Sequence, residues 1–215
     1  MKKVVILNGS PRKNWNTYKM CESFAKGVNE SNAEAEIINL YDIDFKGCRS
    51  CFACKLKNGK NFGKCSYPDG LMPVLDKIAQ SDGLVIASPI YFGDISGVMR
   101  SCLERLLFPF FEYKEGFPSI APKKLKTAAI YTMNVNENMA NDMYTGLFSR
   151  IEGFLEIAFS KPERICACDT CQFPDYDKYV CEVFDKNHKM EQKESQLPKD
   201  MKKAYQAGLK MGKSL

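Results

Sequence analysis

Residues 3–17 read KVVILNGSPRKNWNT, and this stretch decides the fold. Lys3 to Asn8 is a short apolar run rich in β-branched residues, the pattern of a strand buried on both faces. Gly9 ends it. A polar loop then opens into Thr17 to Val28, where Met20, Phe24 and Val28 recur at four-residue spacing and predict an amphipathic helix. Working outward, strands are predicted at Ala35 to Leu40, Gly83 to Ala87, Thr127 to Thr132 and Arg164 to Ala167. Helices are predicted at Leu71 to Ala79, Val98 to Leu107, within Met139 to Phe159, and at Lys199 to Met211. Pro73 is tolerated only in the first turn of its helix. Strands alternating with helices of this length imply βαβ units with right-handed crossovers, hence an α/β fold: a three-layer, doubly wound sheet of five parallel strands. No linker or repeat divides residues 1–215, so one domain is expected, with a cysteine-rich loop at 47–66, an aromatic insertion at 107–124 and a C-terminal extension at 172–215. Tyr176 to Pro198 is polar enough to read as an irregular excursion.

Composition removes several classes of function. Of 215 residues, 31 are Lys or Arg and 26 Asp or Glu, a modest net charge of +5 that suits solubility and anionic ligands. The one His, His188, lies in a polar segment, so a Ser/His/Asp triad or a multi-His metal site is not expected. Ten Cys are too few for a secreted disulfide scaffold, and clustered Cys point instead to metal or redox chemistry. No uncharged apolar run approaches the roughly 18 residues of a membrane span. Val4 to Leu7 is too short for the core of a signal peptide. A cytoplasmic location follows as the expectation.

In a doubly wound sheet, ligands bind beyond the carboxyl ends of the strands, where strand order reverses. The loop Gly9 to Thr17 lies there. Ser10 and Thr17 bring hydroxyls, Asn14 and Asn16 amides, Arg12 a bidentate donor, and the helix start its free N–H groups. With neither G-x-x-x-x-G-K-[ST] nor G-x-G-x-x-G present, a mononucleotide-like monophosphate is the expected ligand. The competing reading is an ordinary polar loop whose Ser, Thr and Asn cap a helix. The third strand runs into Ser88-Pro89-Ile90-Tyr91-Phe92-Gly93, two aromatics and an apolar residue beside the same crevice, where a flat ring could lie. Thr132-Met133-Asn134 adds a polar turn after the fourth strand.

With GSPRKNWNT at the first loop and SPIYFG after the third strand, the sequence resembles the NADPH-dependent FMN reductases and related flavodoxin-like flavoproteins over most of residues 3 to 160. The resemblance implies a flavodoxin-like fold with FMN as cofactor and NADH or NADPH as co-substrate. It implies a phosphate held by Ser10, Arg12, Asn14, Asn16 and Thr17, and a flavin ring edged by Pro89, Ile90, Tyr91, Phe92 and Gly93, with Asn134 a weaker match. Trp15 reads as a hydrophobic staple or an intersubunit contact.

Cys48, Cys51 and Cys54 stand at two-residue gaps and Cys65 follows ten residues later, a C-x2-C-x2-C-x10-C pattern that can wrap a four-thiolate cluster. Here the resemblance narrows to the iron-sulfur flavoproteins, which implies a [4Fe-4S] cluster on these four. The last gap is longer than is usual in that family and carries Lys55, Lys57, Lys60 and Lys64. A tetrahedral zinc site and a set of unligated thiols remain alternatives. Cys166, Cys168 and Cys171 form a second, weaker cluster with Cys181 near, while Cys21 and Cys102 sit in apolar helical patterns and read as core.

These features predict an FMN-dependent oxidoreductase that moves electrons from NAD(P)H to a small-molecule or protein acceptor. The flavin would carry the chemistry, so no catalytic side chain is assigned. The alternative is an electron carrier with FMN and a cluster that does not use pyridine nucleotide. A nucleic-acid module is disfavoured: Glu191, Glu194 and Asp200 interrupt the lysines of 186–213, and aromatics there are too sparse for a stacking platform. A homodimer or homotetramer is expected, because Phe108, Phe110, Phe111, Tyr113 and Phe117 would otherwise form an exposed aromatic patch.

Overall fold

The computed structural model describes residues 1–215. Five parallel strands, β1 (Lys2–Asn8), β2 (Ala33–Asn39), β3 (Gly83–Tyr91), β5 (Lys126–Thr132) and β6 (Glu163–Ala167), form one sheet in the order β2-β1-β3-β5-β6. The order reverses between β1 and β3, and Asn8 of β1 lies in register with Ala87 of β3. A sixth strand, β4 (Asp94–Ile95), pairs antiparallel with the end of β3, so the sheet has one short strand more than the sequence reading. Two residues are too few to show an alternating pattern. What makes β4 is the turn, with Phe92 at φ +50° and Gly93 at φ +78°, the left-handed pair that a two-residue hairpin requires.

The apolar runs predicted as buried are buried. Ile6, Leu7, Leu84, Val85, Ile86, Ala129 and Ile130 exclude solvent because helices cover both faces of the sheet. One face carries α1 (Asn16–Asn29) and α6 (Leu197–Ser214), whose Met20, Phe24, Val28, Ala204, Ala207 and Met211 pack on Val4, Ile6, Val85 and Ile130. The other carries α2 (Met72–Gln80), α3 (Gly97–Leu107) and α4 (Glu137–Ala158), whose Ile78, Met99, Cys102, Leu106, Leu147, Phe148 and Leu155 join Val5, Leu7, Leu84 and Ile86. Cys21 and Cys102 are core residues. Ser96 and Asn136 cap α3 and α4 by accepting from the Met99 and Met139 N–H groups. No helix is long and apolar enough to cross a membrane.

Two expectations change. The polar excursion contains a helix, α5 (Lys186–Ser195), which starts at an Asp185 cap and buries Lys189, a residue that an apolar-periodicity search passes over. The aromatic insertion is partly internal. Phe110 is buried against Phe159, their rings 5.7 Å apart, and Phe108 and Phe111 are half-buried, so only Tyr113 and Phe117 of the five are exposed.

Candidate functional site

The crevice at the reversal point is built from β1 outward. Asn8 is fully buried at the end of β1, where its amide donates to Asn39 Oδ1 (2.9 Å) and its Oδ1 accepts from the Ser10 N–H (3.1 Å). Gly9 must be glycine because a Cβ would press on Ser96 Oγ and Met99. The chain then turns through Asn14 (φ +60°) into α1, whose first N–H groups have no carbonyl ahead of them in the helix. Arg12 stacks on Trp15, its guanidinium carbon 3.9 Å from the ring centroid. Thr17 and Thr132 join hydroxyl to hydroxyl at 2.7 Å, tying the loop to the end of β5.

Eight of the eleven residues expected at the cofactor line one crevice of about 440 Å³: Ser10, Arg12, Asn16, Thr17, Pro89, Ile90, Tyr91 and Asn134. The other three stand off it. Asn14 is an exposed turn residue, and Phe92 and Gly93 form the hairpin tip, with the Phe92 ring in solvent. Trp15 lines the crevice too and donates from Nε1 to the Cys171 carbonyl (3.2 Å), so it is a wall and not a staple.

The remaining wall is absent from the sequence reading. Residues 170–174 and Tyr179 close the crevice from the C-terminal side. Asn16 Nδ2 donates to the Cys171 carbonyl (2.9 Å), and Arg12 Nη1 donates to the Gln172 carbonyl (2.5 Å). Asn134 Nδ2 donates to Gln172 Oε1 (2.8 Å), while Asn134 Oδ1, shut away from solvent, has no hydrogen-bond partner. Phe173 and Tyr179 stack at 4.2 Å. Behind this wall Lys189 donates to the Asn134 carbonyl (2.6 Å) and to Asp169, which also contacts His188 Nε2 (2.6 Å). Burial pushes the Asp169 carboxyl up, but the hydrogen bonds from Lys189 and His188 outweigh it and leave the carboxyl below its ordinary range. The lone His thus belongs to the support of the crevice. The only advance sign of this wall was the Cys171-Gln172-Phe173-Pro174 segment, which ends in an aromatic and a turn residue.

A second pocket lies between the two ends of the cysteine-rich loop, against the end of α3. Cys48, Cys51, Cys54 and Cys65 all line it, together with Phe52, Tyr67, Arg105, Phe108 and Pro109. Cys48 and Cys51 are exposed and Cys54 is buried, where desolvation raises its thiol above its ordinary value, Lys55 opposing. The four thiols surround the pocket without converging, since no three His, Cys, Asp or Glu side chains come together as a metal-binding group. Cys166 and Cys168 border a different hollow, and Cys171 turns its thiol to the Phe173 carbonyl, so those three do not share a site.

The sequence model of the NADPH-dependent FMN reductases matches residues 2–132, more than half of the chain. The chain belongs to that family. Among its relatives are an iron-sulfur flavoprotein of Archaeoglobus fulgidus, 40% identical over 103 residues, and one of Methanocaldococcus jannaschii, 32% identical over 103 residues. The alignments cover 48% of this chain in each case and 48% and 51% of the two relatives, so the chain spans about half the length of the curated relatives it matches. Among solved structures, NAD(P)H:quinone oxidoreductase from Methanothermobacter marburgensis superposes with a TM-score of 0.72 at 15% identity, over 97% of this chain and 98% of that one. An FMN-dependent NADH-azoreductase from Bacillus anthracis, solved with FMN, gives 0.65 at 15% identity over 99% and 100%. At such identities the likeness shows the flavodoxin-like fold, which an archaeal flavodoxin also shares. The family match ends at Thr132, so the wall from residues 170–179 lies beyond it.

Proposed function

We propose that this chain binds FMN in the reversal-point crevice and works as an oxidoreductase, taking electrons from NADH or NADPH and passing them to a separate acceptor by way of a [4Fe-4S] cluster on Cys48, Cys51, Cys54 and Cys65. The observation that carries the flavin reading is the crevice itself. Phosphate-type donors at one end and Pro89, Ile90 and Tyr91 at the other border a single space, and Asn134 Oδ1 is buried there without a partner. A buried acceptor left unsatisfied is costly, and a ligand N–H would satisfy it. Ser10, Arg12, Asn16 and Thr17 would hold the phosphate. Bound flavin supplies hydride acceptance and electron transfer, while the protein positions the ring and keeps water from it. The strap at residues 170–174 would contribute to that second task, since it lines the crevice and is hydrogen-bonded to the phosphate loop.

The cluster reading rests on donor chemistry. Four thiols around one pocket are the complement of a [4Fe-4S] cluster, and the apolar walls of Phe52, Phe108 and Pro109 limit water at such a centre. Protein purified without oxygen is expected to be coloured, to contain FMN, iron and sulfide, and to oxidise NADH or NADPH. Colourless protein that takes up no FMN on titration would overturn the flavin reading. FMN without iron or sulfide would remove the cluster, and negligible NAD(P)H turnover would make the chain an electron carrier.

The assembly reading is a homodimer or homotetramer. Phe52, Phe108, Tyr113 and Phe117 form a ladder of edge-on rings 6.3–6.4 Å apart, and three of the four are about half or more exposed. Such a row invites a second apolar surface. Light scattering on an eluting peak is expected to give a mass at least twice 24.4 kDa, and a monomeric mass would end this reading.

A further inference from the structure

Arg105 is 2% exposed on α3, and neither the crevice nor the core uses its charge. Its guanidinium instead holds the cysteine-rich loop at both ends. Nη1 donates to the Lys46 carbonyl (3.1 Å), two residues before Cys48, and Nη2 donates to the Tyr67 carbonyl (3.1 Å), two residues after Cys65. Nη1 also pairs with Asp69 (2.5 Å), whose carboxylate takes the Leu71 and Lys46 N–H groups. Nε points at the Cys65 sulfur (3.4 Å). One planar group thus closes the loop and touches a thiol of the set.

This bears on the long gap before Cys65. Cys48, Cys51 and Cys54 are brought together by short spacing, but ten residues separate Cys54 from Cys65. Confining the ends of so long a loop costs conformational entropy. A buried, fully hydrogen-bonded guanidinium meets that cost before any ligand arrives. Lysine would not, because a single ammonium lacks the rigid fork that addresses Lys46, Tyr67, Asp69 and Cys65 together.

We infer that Arg105 is the positioning residue of the four-thiol site: it closes the loop so that Cys65 faces Cys48, Cys51 and Cys54, and it hydrogen-bonds the Cys65 sulfur. This rests on the cluster reading above. A donor and a positive charge at a ligating sulfur stabilise the more negative, reduced form of a cluster, so Arg105 would raise its potential.

The test uses the full chain with FMN, reconstituted anaerobically with iron and sulfide, as wild type, as Arg105→Lys, and as Arg105→Gln combined with Asp69→Asn, which leaves no buried carboxylate unpaired. FMN content reports folding in each. Both variants are expected to keep FMN, to hold iron roughly 10- to 100-fold more weakly against a chelator, and to show a more negative midpoint potential for whatever cluster they retain. A wild type that takes up the cluster, with variants equal to it in iron retention and potential, would overturn the role of Arg105 and leave the cluster reading standing. If both variants lose FMN as well, Arg105 supports the fold generally and the specific role is likewise overturned. A wild type that holds FMN but no iron and sulfide would overturn the cluster reading and this role with it.

Discussion

Asp169→Asn is expected to cost about 3 kcal/mol of stability, the lower end of the range for breaking a buried ion pair, and to weaken FMN binding at the same time. Lys189 is only 1% exposed, its ammonium faced by Asp169, the Asn134 carbonyl and the Phe184 ring at 4.6 Å. Asparagine keeps the shape but leaves that charge in a space with no anion. The lower end applies because the Asp169 side chain is 18% exposed and water can relax around the site. Lys189→Met should cost less, since it removes the buried charge and leaves Asp169 with His188 and solvent. Urea unfolding of the two variants checks the order, and equal or reversed costs would contradict the account. The pH dependence follows from the same pair. Asp169 is held below its ordinary pKa in the folded state, so its contribution is present above about pH 4, the unfolded value, and is lost as pH falls through the lower folded value. Asp169→Asn should therefore flatten the acid limb of the stability profile.

The second large effect is expected at the crossing of α1 and α6. A Cβ on Gly27 would overlap the Tyr205 carbonyl oxygen, and one on Gly208 would overlap the Phe24 carbonyl oxygen. The two helices touch backbone to backbone, so neither clash can be relieved by turning a side chain. Gly208→Ala is expected to cost at least about 2–3 kcal/mol, at or above the upper range for overpacking, because the helices must separate along their length. The double variant Gly27→Ala, Gly208→Ala should cost less than the sum, since one separation relieves both clashes. Chemical denaturation measures this, and a loss under about 0.5 kcal/mol for Gly208→Ala would show that the crossing is looser than described.

These two sites mark the boundary of what the sequence disclosed. Val4 to Leu7 and Leu84 to Ile86 are continuous apolar runs bounded by turn residues, and such runs identify buried parallel strands without reference to the rest of the chain. The first loop was equally legible, because Ser10, Arg12, Asn16 and Thr17 line the crevice where the chain itself places them, from the end of β1 to the first residues of α1. The far wall was not. Cys171 and Gln172 meet Asn16 and Arg12 through backbone carbonyls, which every residue has, so nothing in their identity announces the contact. Lys189 reads as one more solvated lysine in KNHKMEQKES, and only the fold reveals that it is buried. Phe92 misled in the opposite direction. It is an aromatic beside the crevice in sequence, yet the left-handed turn it shares with Gly93 throws its ring outward. The cysteine loop was half legible: spacing grouped Cys48, Cys51 and Cys54, but the group that tethers Cys65 at the same pocket sits on α3, 40 residues further along.

The strap over the crevice has a consequence for the order in which the protein matures. Arg12 and Gln172 are 160 positions apart, and the helix that pins the strap from behind ends at Ser195. As the chain leaves the ribosome, β1, its loop and α1 emerge before the strap, with the donors of the crevice open on one side. They stay so until the strap, 160 positions further on, has also been made. The crevice is therefore completed only when the strap docks, so tight capture of an occupant follows the meeting of these distant segments and does not nucleate it.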